Sequence, residues 1–160
     1  MKAIVRELGR ADWPRVIELN RASVRELSPL DQKRLGYILA LAHRSLVVEC
    51  GREVVAFAIS VAPGTDYDSA NYAWFSGRYE RFLYLDRIAV RESQRRRGLG
   101  ARLYDAMERA AEPFGRIVCD VNLEPRNDAS LAFHAARGYR DVGRLVHGEG
   151  KTVALMCKEL

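Results

Sequence analysis

The run Gln94-Arg95-Arg96-Arg97-Gly98-Leu99-Gly100-Ala101 constrains this chain more than any other stretch. An almost unbroken apolar segment, Phe82 to Val90, precedes it. An amphipathic segment, Leu99 to Ala111, follows, with Leu99, Leu103, Ala106, Met107 and Ala110 on one helical face. A buried strand, a glycine-bearing turn and a helix are thus laid end to end. Gly98 and Gly100 let the backbone turn tightly and approach a ligand closely. The start of the helix aims its N–H groups and its dipole at the same point. Together with Arg95, Arg96 and Arg97 this suits a di- or triphosphate; the arginines alone would read as a solvated charge run.

The remaining elements follow from apolar periodicity and turn chemistry. Lys2 to Arg6 reads as an edge strand. Asp12 before Trp13-Pro14 opens a helix that runs to about Leu27, and Ser28-Pro29 breaks it. Leu30 to Arg44 reads as a second helix. Ser45 to Cys50 and Glu53 to Val61 are strands joined by a tight turn at Gly51-Arg52. Ala62 to Arg81 is a long irregular segment rich in aromatics, of the kind that more often carries function than mere connection. Arg116 to Val121 is a buried strand, and Asn127 or Asp128 caps a helix to Arg137 that Gly138 ends. Tyr139 to Leu145 and Thr152 to Cys157 close as a hairpin across His147-Gly148-Glu149-Gly150.

The order is strand-helix-helix-strand-strand-strand-helix-strand-helix-strand-strand. It predicts an α/β chain with a mixed sheet of about seven strands flanked by four helices. A length of 160 residues, 48% of them hydrophobic, fits one domain over residues 1–160. No apolar run reaches the roughly 18–20 residues of a membrane span, and Met1 to Glu7 lacks a signal-peptide core, so a cytoplasmic protein without membrane association is expected. Cys50, Cys119 and Cys157 form no C-x-x-C pair and read as buried free thiols. No His/Cys/Asp cluster has metal-ligand spacing, and none is expected to bind a metal. The net charge of +5 is modest and not gathered in a tail. The aromatics cluster in residues 67–84, away from the arginine triplet, which argues against nucleic acid as a partner.

Leu85-Asp86-Arg87-Ile88-Ala89-Val90, then Arg95 to Ala101, then Asn127-Asp128-Ala129-Ser130-Leu131-Ala132-Phe133-His134-Ala135-Ala136-Arg137-Gly138-Tyr139 resemble the GCN5-related N-acetyltransferase (GNAT) superfamily. The resemblance is specific over residues 85–139 and general before them. A dinucleotide fingerprint is the rival for the glycine run, but Leu103 holds the place of its third glycine. The resemblance implies acetyl-CoA as co-substrate, its pyrophosphate on the main-chain N–H groups of Arg95, Arg96, Arg97, Gly98, Leu99, Gly100 and Ala101. The pantetheine arm would lie along Ile88, Ala89 and Val90, where two strands splay apart, with the Ile88 N–H polarising the thioester carbonyl. Asn127 and Ser130 would face the same arm.

Direct attack by an amine needs a proton acceptor. Asp86 interrupts the apolar run Phe82-Leu83-Tyr84-Leu85, and strand alternation puts it with Tyr84 and Ile88; Asp120 interrupts Ile117-Val118-Cys119 and shares a side with Asn122. Either carboxylate suits the role. Asp86 equally suits a salt bridge to Arg87 or Arg91. The family's thiolate-protonating tyrosine is replaced by His134, one helical face with Ser130 and Asn127, whose ordinary pKa of roughly 6.5 allows proton exchange near neutrality; a hydrogen-bonded polar helix residue is the alternative. The family places the acceptor between Arg25 to Arg34, Tyr67 to Tyr79 and the residues near His147. Tyr67, Asp68, Asn71, Tyr72, Trp74 and Phe75 would then form an aromatic wall for a small-molecule or peptide amine, unless Trp74 and Phe75 only staple the loop to the core. The family's frequent dimers admit a homodimer. A second reading, an acyl-CoA-binding regulatory domain with little turnover, follows from the departure at His134.

Overall fold

A computed structural model describes residues 2–23, 27–148 and 150–160. The elements, in chain order, are β1 (Ala3–Glu7), α1 (Trp13–Ala22), α2 (Gln32–Leu41), β2 (Arg44–Cys50), β3 (Glu53–Val61), α3 (Ala70–Arg78), β4 (Leu83–Val90), α4 (Leu99–Ala111), β5 (Arg116–Glu124), α5 (Asp128–Ala136), β6 (Arg140–His147) and β7 (Lys151–Glu159). The strands form one mixed seven-stranded sheet in the order β1-β2-β3-β4-β5-β7-β6. All neighbours are antiparallel except β4 and β5, which are parallel.

Period-2 alternation divides the core between the two faces. Val47, Phe57, Ile59, Tyr84, Val118 and Leu155 face α1, α2 and α3 through Val16, Leu19, Leu35, Ile38, Tyr72 and Phe75. Leu46, Val48, Ala58, Leu83, Leu85, Ile117 and Cys119 face α4 and α5 through Leu99, Leu103, Tyr104, Met107 and Phe133.

The fifth helix, α3, corrects the expectation of an irregular Ala62–Arg81 segment. Its sequence, with Tyr72, Trp74, Phe75 and Gly77, has weak helix propensity. Burial of Tyr72 and Phe75 one turn apart drives it instead, and the Ser69 hydroxyl caps it by accepting from Tyr72 N at 3.2 Å. The second helix is shorter than expected because Asp31 caps it, accepting from Arg34 N at 2.7 Å, and Ala42 is already extended. Asp12 stands at the start of α1 without capping it. Its carboxylate accepts instead from Gly9 N and, bidentately, from Arg6. Cys119 and Cys157 are buried free thiols, whereas Cys50, at a strand end, is only half-buried.

Two features of β4 create the site. It pairs with β5 only at Leu83–Ile117 and Tyr84–Val118, after which the strands part. Against β3 the register jumps from Ile59–Arg87 to Ser60–Leu85, so Asp86 is the extra residue of a bulge. The bulge ends the expected alternation. Tyr84 and Ala89 belong to the core under α1–α3, while Ile88 packs on the α4–α5 side. Asp86 therefore parts company with Ile88.

Candidate active site

A cavity of about 410 Å³ opens where β4 and β5 diverge. Arg95, Gly100 and Asn127 line one end, Ile88, Ala89, Val90, Tyr104, Ser130, Phe133 and His134 its middle, and Asp86, Arg87, Asp120, Asn122, Ser23 and Leu27 the other end.

The first end is built by the start of α4. Gly98 is left-handed at φ 75°, and Arg96, two residues before it, is also left-handed at φ 65°. The first amide of α4 bonded within the helix is Arg102 N, to Gly98 O at 3.0 Å. The amides of Leu99, Gly100 and Ala101 precede it without an intrahelical acceptor. Arg96, Arg97 and Gly98 are exposed. Leu99 is buried and packs its side chain into the core, leaving only its main chain to the turn. Arg102 is not part of this end; its guanidinium donates to Ala3 O at 2.8 Å and ties α4 to β1. Asn127 Oδ1 caps α5 by accepting from Ser130 N at 3.2 Å.

In the middle, main-chain direction follows from one bond. Arg91 N donates to Val55 O on β3 at 2.7 Å. Amides alternate along a strand, so Ala89 N also points toward β3, while Ile88 and Val90 turn their N–H and C=O groups into the gap beside β5.

His134 is buried, only 4% exposed, and both ring nitrogens are engaged. Nδ1 lies 2.7 Å from the Ser130 carbonyl oxygen, which only accepts, so Nδ1 carries the proton. Nε2 then accepts from the Tyr104 hydroxyl at 2.5 Å. Burial, helped by the charge of Arg137, lowers the His134 pKa below its usual value, and burial drives the Tyr104 phenol well above 10. The ring is a neutral imidazole whose partner phenol comes from a different helix.

At the far end two carboxylates each receive a tyrosine hydroxyl. Tyr67 donates to Asp86 Oδ1 at 2.6 Å, and Tyr84 donates to Asp120 Oδ2 at 2.7 Å. Asp86 is also paired with Arg87, Nε to Oδ2 at 2.7 Å. Arg87 is itself buried and donates further to Asn20 Oδ1, Ser28 O and Ser28 Oγ. Arg91, the other candidate partner of Asp86, pairs with Glu53. Asp120 forms no ion pair among the described residues, though the charge of Lys151 reaches it. Burial, reinforced by the charge of Asp86, pushes its pKa up to about 6 against the opposing pull of Tyr84, Asn71 and Lys151. A carboxylate of that pKa is a competent proton acceptor near neutral pH.

The expected aromatic wall is not a wall. Tyr72 and Phe75 are 2% and 0% exposed and sit in the core. Tyr67 is buried with its hydroxyl on Asp86, and burial and that charge drive its phenol well above its usual range. Asp68 is paired bidentately with Arg34. Trp74 packs on β6 so closely that a Cβ on Gly143 would lie 2.5 Å from its ring. Asn71 Oδ1 accepts from His147 Nε2 at 3.0 Å. None of these six lines the cavity. Arg25 and Glu149, placed near the acceptor by the resemblance, lie outside the described residues.

Sequence reasoning passed over Tyr84 and Tyr104. Both look like ordinary members of apolar stripes, and their partners lie 36 and 30 residues away. Only for Tyr84 was there a signal, its shared strand side with Asp86.

The acetyltransferase (GNAT) family model matches residues 6–139. A curated relative, the L-methionine sulfoximine/L-methionine sulfone acetyltransferase of Pseudomonas paraeruginosa (strain DSM 24068 / PA7), is 25% identical over 152 residues, covering 91% of this chain and 84% of the relative. Among solved structures, Ard1 from Thermoplasma volcanium superposes with a TM-score of 0.80 at 17% identity, over 100% of this chain and 99% of that one. The ribosomal-protein-S18-alanine N-acetyltransferase from Escherichia coli gives 0.73 at 16% identity, over 99% and 94%. The chain is an acyltransferase that belongs to the acetyltransferase (GNAT) family.

Proposed function

We propose that this chain transfers an acetyl group from acetyl-CoA to a primary amine of a small molecule or peptide by direct attack on the thioester. The observation that carries the proposal is Asp120, a carboxylate of raised pKa standing in the fork between β4 and β5, with no ion pair among the described residues.

The cavity fits the donor. The left-handed turn at Arg96 and Gly98, the leading amides of α4, and Arg95 suit a pyrophosphate. The gap-facing main chain of Ile88 and Val90 suits an extended amide-bearing arm, and the Ile88 N–H suits the thioester carbonyl. Acetyl-CoA supplies the acetyl group already activated as a thioester.

The residues of the chain do the rest. Asp120 takes the proton that the amine must lose. Asp86, clamped by Arg87 and Tyr67, holds a fixed negative charge that keeps Asp120 basic. Tyr104 and His134 line the cavity but spend their protons on each other and on the Ser130 carbonyl, so the departing thiolate takes its proton from solvent. The free thiols Cys50, Cys119 and Cys157 suit a reducing, cytoplasmic setting.

Thermal unfolding with and without acetyl-CoA tests the donor. At a concentration about 100 times the Kd, binding adds about 2.7 kcal/mol, which raises Tm by a few degrees. No shift at saturating acetyl-CoA overturns the proposal. A shift without amine-dependent thiol release, across a panel of alkylamines, peptides and methionine sulfoximine, makes the chain a binding domain instead.

A further inference from the structure

Arg87 does more than neutralise Asp86. The bulge puts it opposite Ile59, on the face of the sheet that α1 covers. From there its guanidinium reaches both ends of one stretch of chain. Nη1 donates to Asn20 Oδ1 at 3.1 Å and to Ser28 O at 3.2 Å, and Nη2 donates to Ser28 Oγ at 2.9 Å. Asn20 Nδ2 donates to the same Ser28 carbonyl at 2.9 Å. Asn20 is buried in the last turn of α1, and Ser28 lies between α1 and α2. Three side chains thus close the chain from residue 20 to residue 28 into a loop and pin it to β4.

Two residues of that loop, Ser23 and Leu27, line the same end of the cavity as Leu85, Asp86, Asp120 and Asn122. Ser23 N donates to Asn20 O at 3.0 Å, and Leu27 N donates to Ser23 O at 2.9 Å. Each is therefore tied by a short main-chain link to a residue that Arg87 holds. A wall fixed at both ends does not retreat from a substituent that is too large, and an apolar pocket of fixed width discriminates by about 10–200-fold per methylene.

We infer that Arg87, with Asn20 and Ser28, determines acceptor specificity: the closed loop holds Leu27 and Ser23 as a rigid wall, which selects primary amines by the length of the apolar substituent that packs on Leu27. The inference rests on the reading of the Asp120 end as the place where the amine is acetylated. Asn20 and Ser28 do not line the cavity, so they act on the amine only by positioning this wall.

The test is thiol release from acetyl-CoA with a series of straight-chain primary alkylamines, each one methylene longer than the last, for the parent chain, Asn20→Ala, Ser28→Ala, their double variant and Leu27→Ala. In the parent, kcat/KM peaks at one length and falls by about 10-fold per methylene beyond it. Asn20→Ala and Ser28→Ala open the loop at different points and leave Arg87 paired with Asp86. Each raises the KM for the preferred amine by about 3–10-fold, rather than the KM for acetyl-CoA, and flattens the series to about 2-fold per methylene. The double variant matches the more affected single one, because the loop is opened only once. Leu27→Ala keeps the loop closed and moves the peak to a longer amine without flattening the series. A parent-like length profile in both Asn20→Ala and Ser28→Ala, with only Tm lowered, overturns this inference and leaves the proposed function standing. So does a parent that uses every length equally well. A parent without amine-dependent thiol release overturns the proposed function itself.

Discussion

Tyr84 on β4 donates its hydroxyl to Asp120 on β5 at 2.7 Å, two residues beyond Val118, whose pairing with Tyr84 is the last that joins the two parallel strands. The bond spans the point where the sheet opens. It links the strand that would hold the donor to the strand that carries Asp120, the proposed proton acceptor.

Tyr84→Phe keeps the ring and removes only this bond. The carboxylate loses a donor that stabilises its charge, so its pKa rises above about 6. Activity at pH 6.5 falls by about 3–10-fold, and by much less at pH 9, where Asp120 is ionised in either protein. A loss equal at both pH values would show that the hydroxyl serves packing alone.

Asp120→Asn trades activity for stability. The carboxyl pKa is about 6 in the folded chain against 3.8 ordinarily. Below pH 4 it is protonated in both states and the folded chain has the full benefit. As pH rises through 6 that benefit is lost, since ionisation is easier in the unfolded chain. Asp120→Asn does not titrate, so its advantage over the parent grows from near zero at pH 4 to about 1–3 kcal/mol at pH 8. Denaturant unfolding at the two pH values measures it.

Arg87 neutralises Asp86 where both side chains are almost wholly buried, 3% and 5% exposed. Arg87→Met strands a carboxylate and costs about 3–5 kcal/mol. Tyr67→Phe removes one hydrogen bond from the same carboxylate and costs about 1–2 kcal/mol. The double variant Asp86→Asn/Arg87→Met recovers much of the first loss. Urea unfolding of the three proteins tests this order.

Gly143 lies against Trp74, with space for no side chain: a Cβ would come within 2.5 Å and 2.8 Å of two ring atoms. Gly143→Ala forces the indole or β6 to shift and costs about 1–3 kcal/mol, read as a fall in Tm. Gly77→Ala, on the same helix as Trp74 with nothing within 4 Å of the added Cβ, does not lower Tm.

Much of this was legible in the residues. Leu99 to Ala111 is bounded in the structure as its periodicity predicts, because one apolar stripe and a left-handed glycine at its start leave no competing boundary. Asn127 caps α5 as its residue type suggests. What escaped was set by contacts distant in sequence. α3 has weak propensity and is made by burial of Tyr72 and Phe75. The bulge at Asp86 leaves no trace in a period-2 pattern and alters which residues share its side. The partners of His134 and Asp120, Tyr104 and Tyr84, come from other elements, so residue spacing could name the polar groups but not say what holds them.

The central claim is that Asp120 accepts the amine's proton during acetyl transfer from acetyl-CoA. The most direct measurement is amine-dependent release of free thiol from acetyl-CoA, comparing the parent chain with Asp120→Asn from pH 5 to pH 9. The account predicts a parent rate that rises through pH 6 to a plateau, and an Asp120→Asn rate lower by about 10²–10⁴-fold that still binds acetyl-CoA. An Asp120→Asn protein that releases thiol at the parent rate across this range would contradict it.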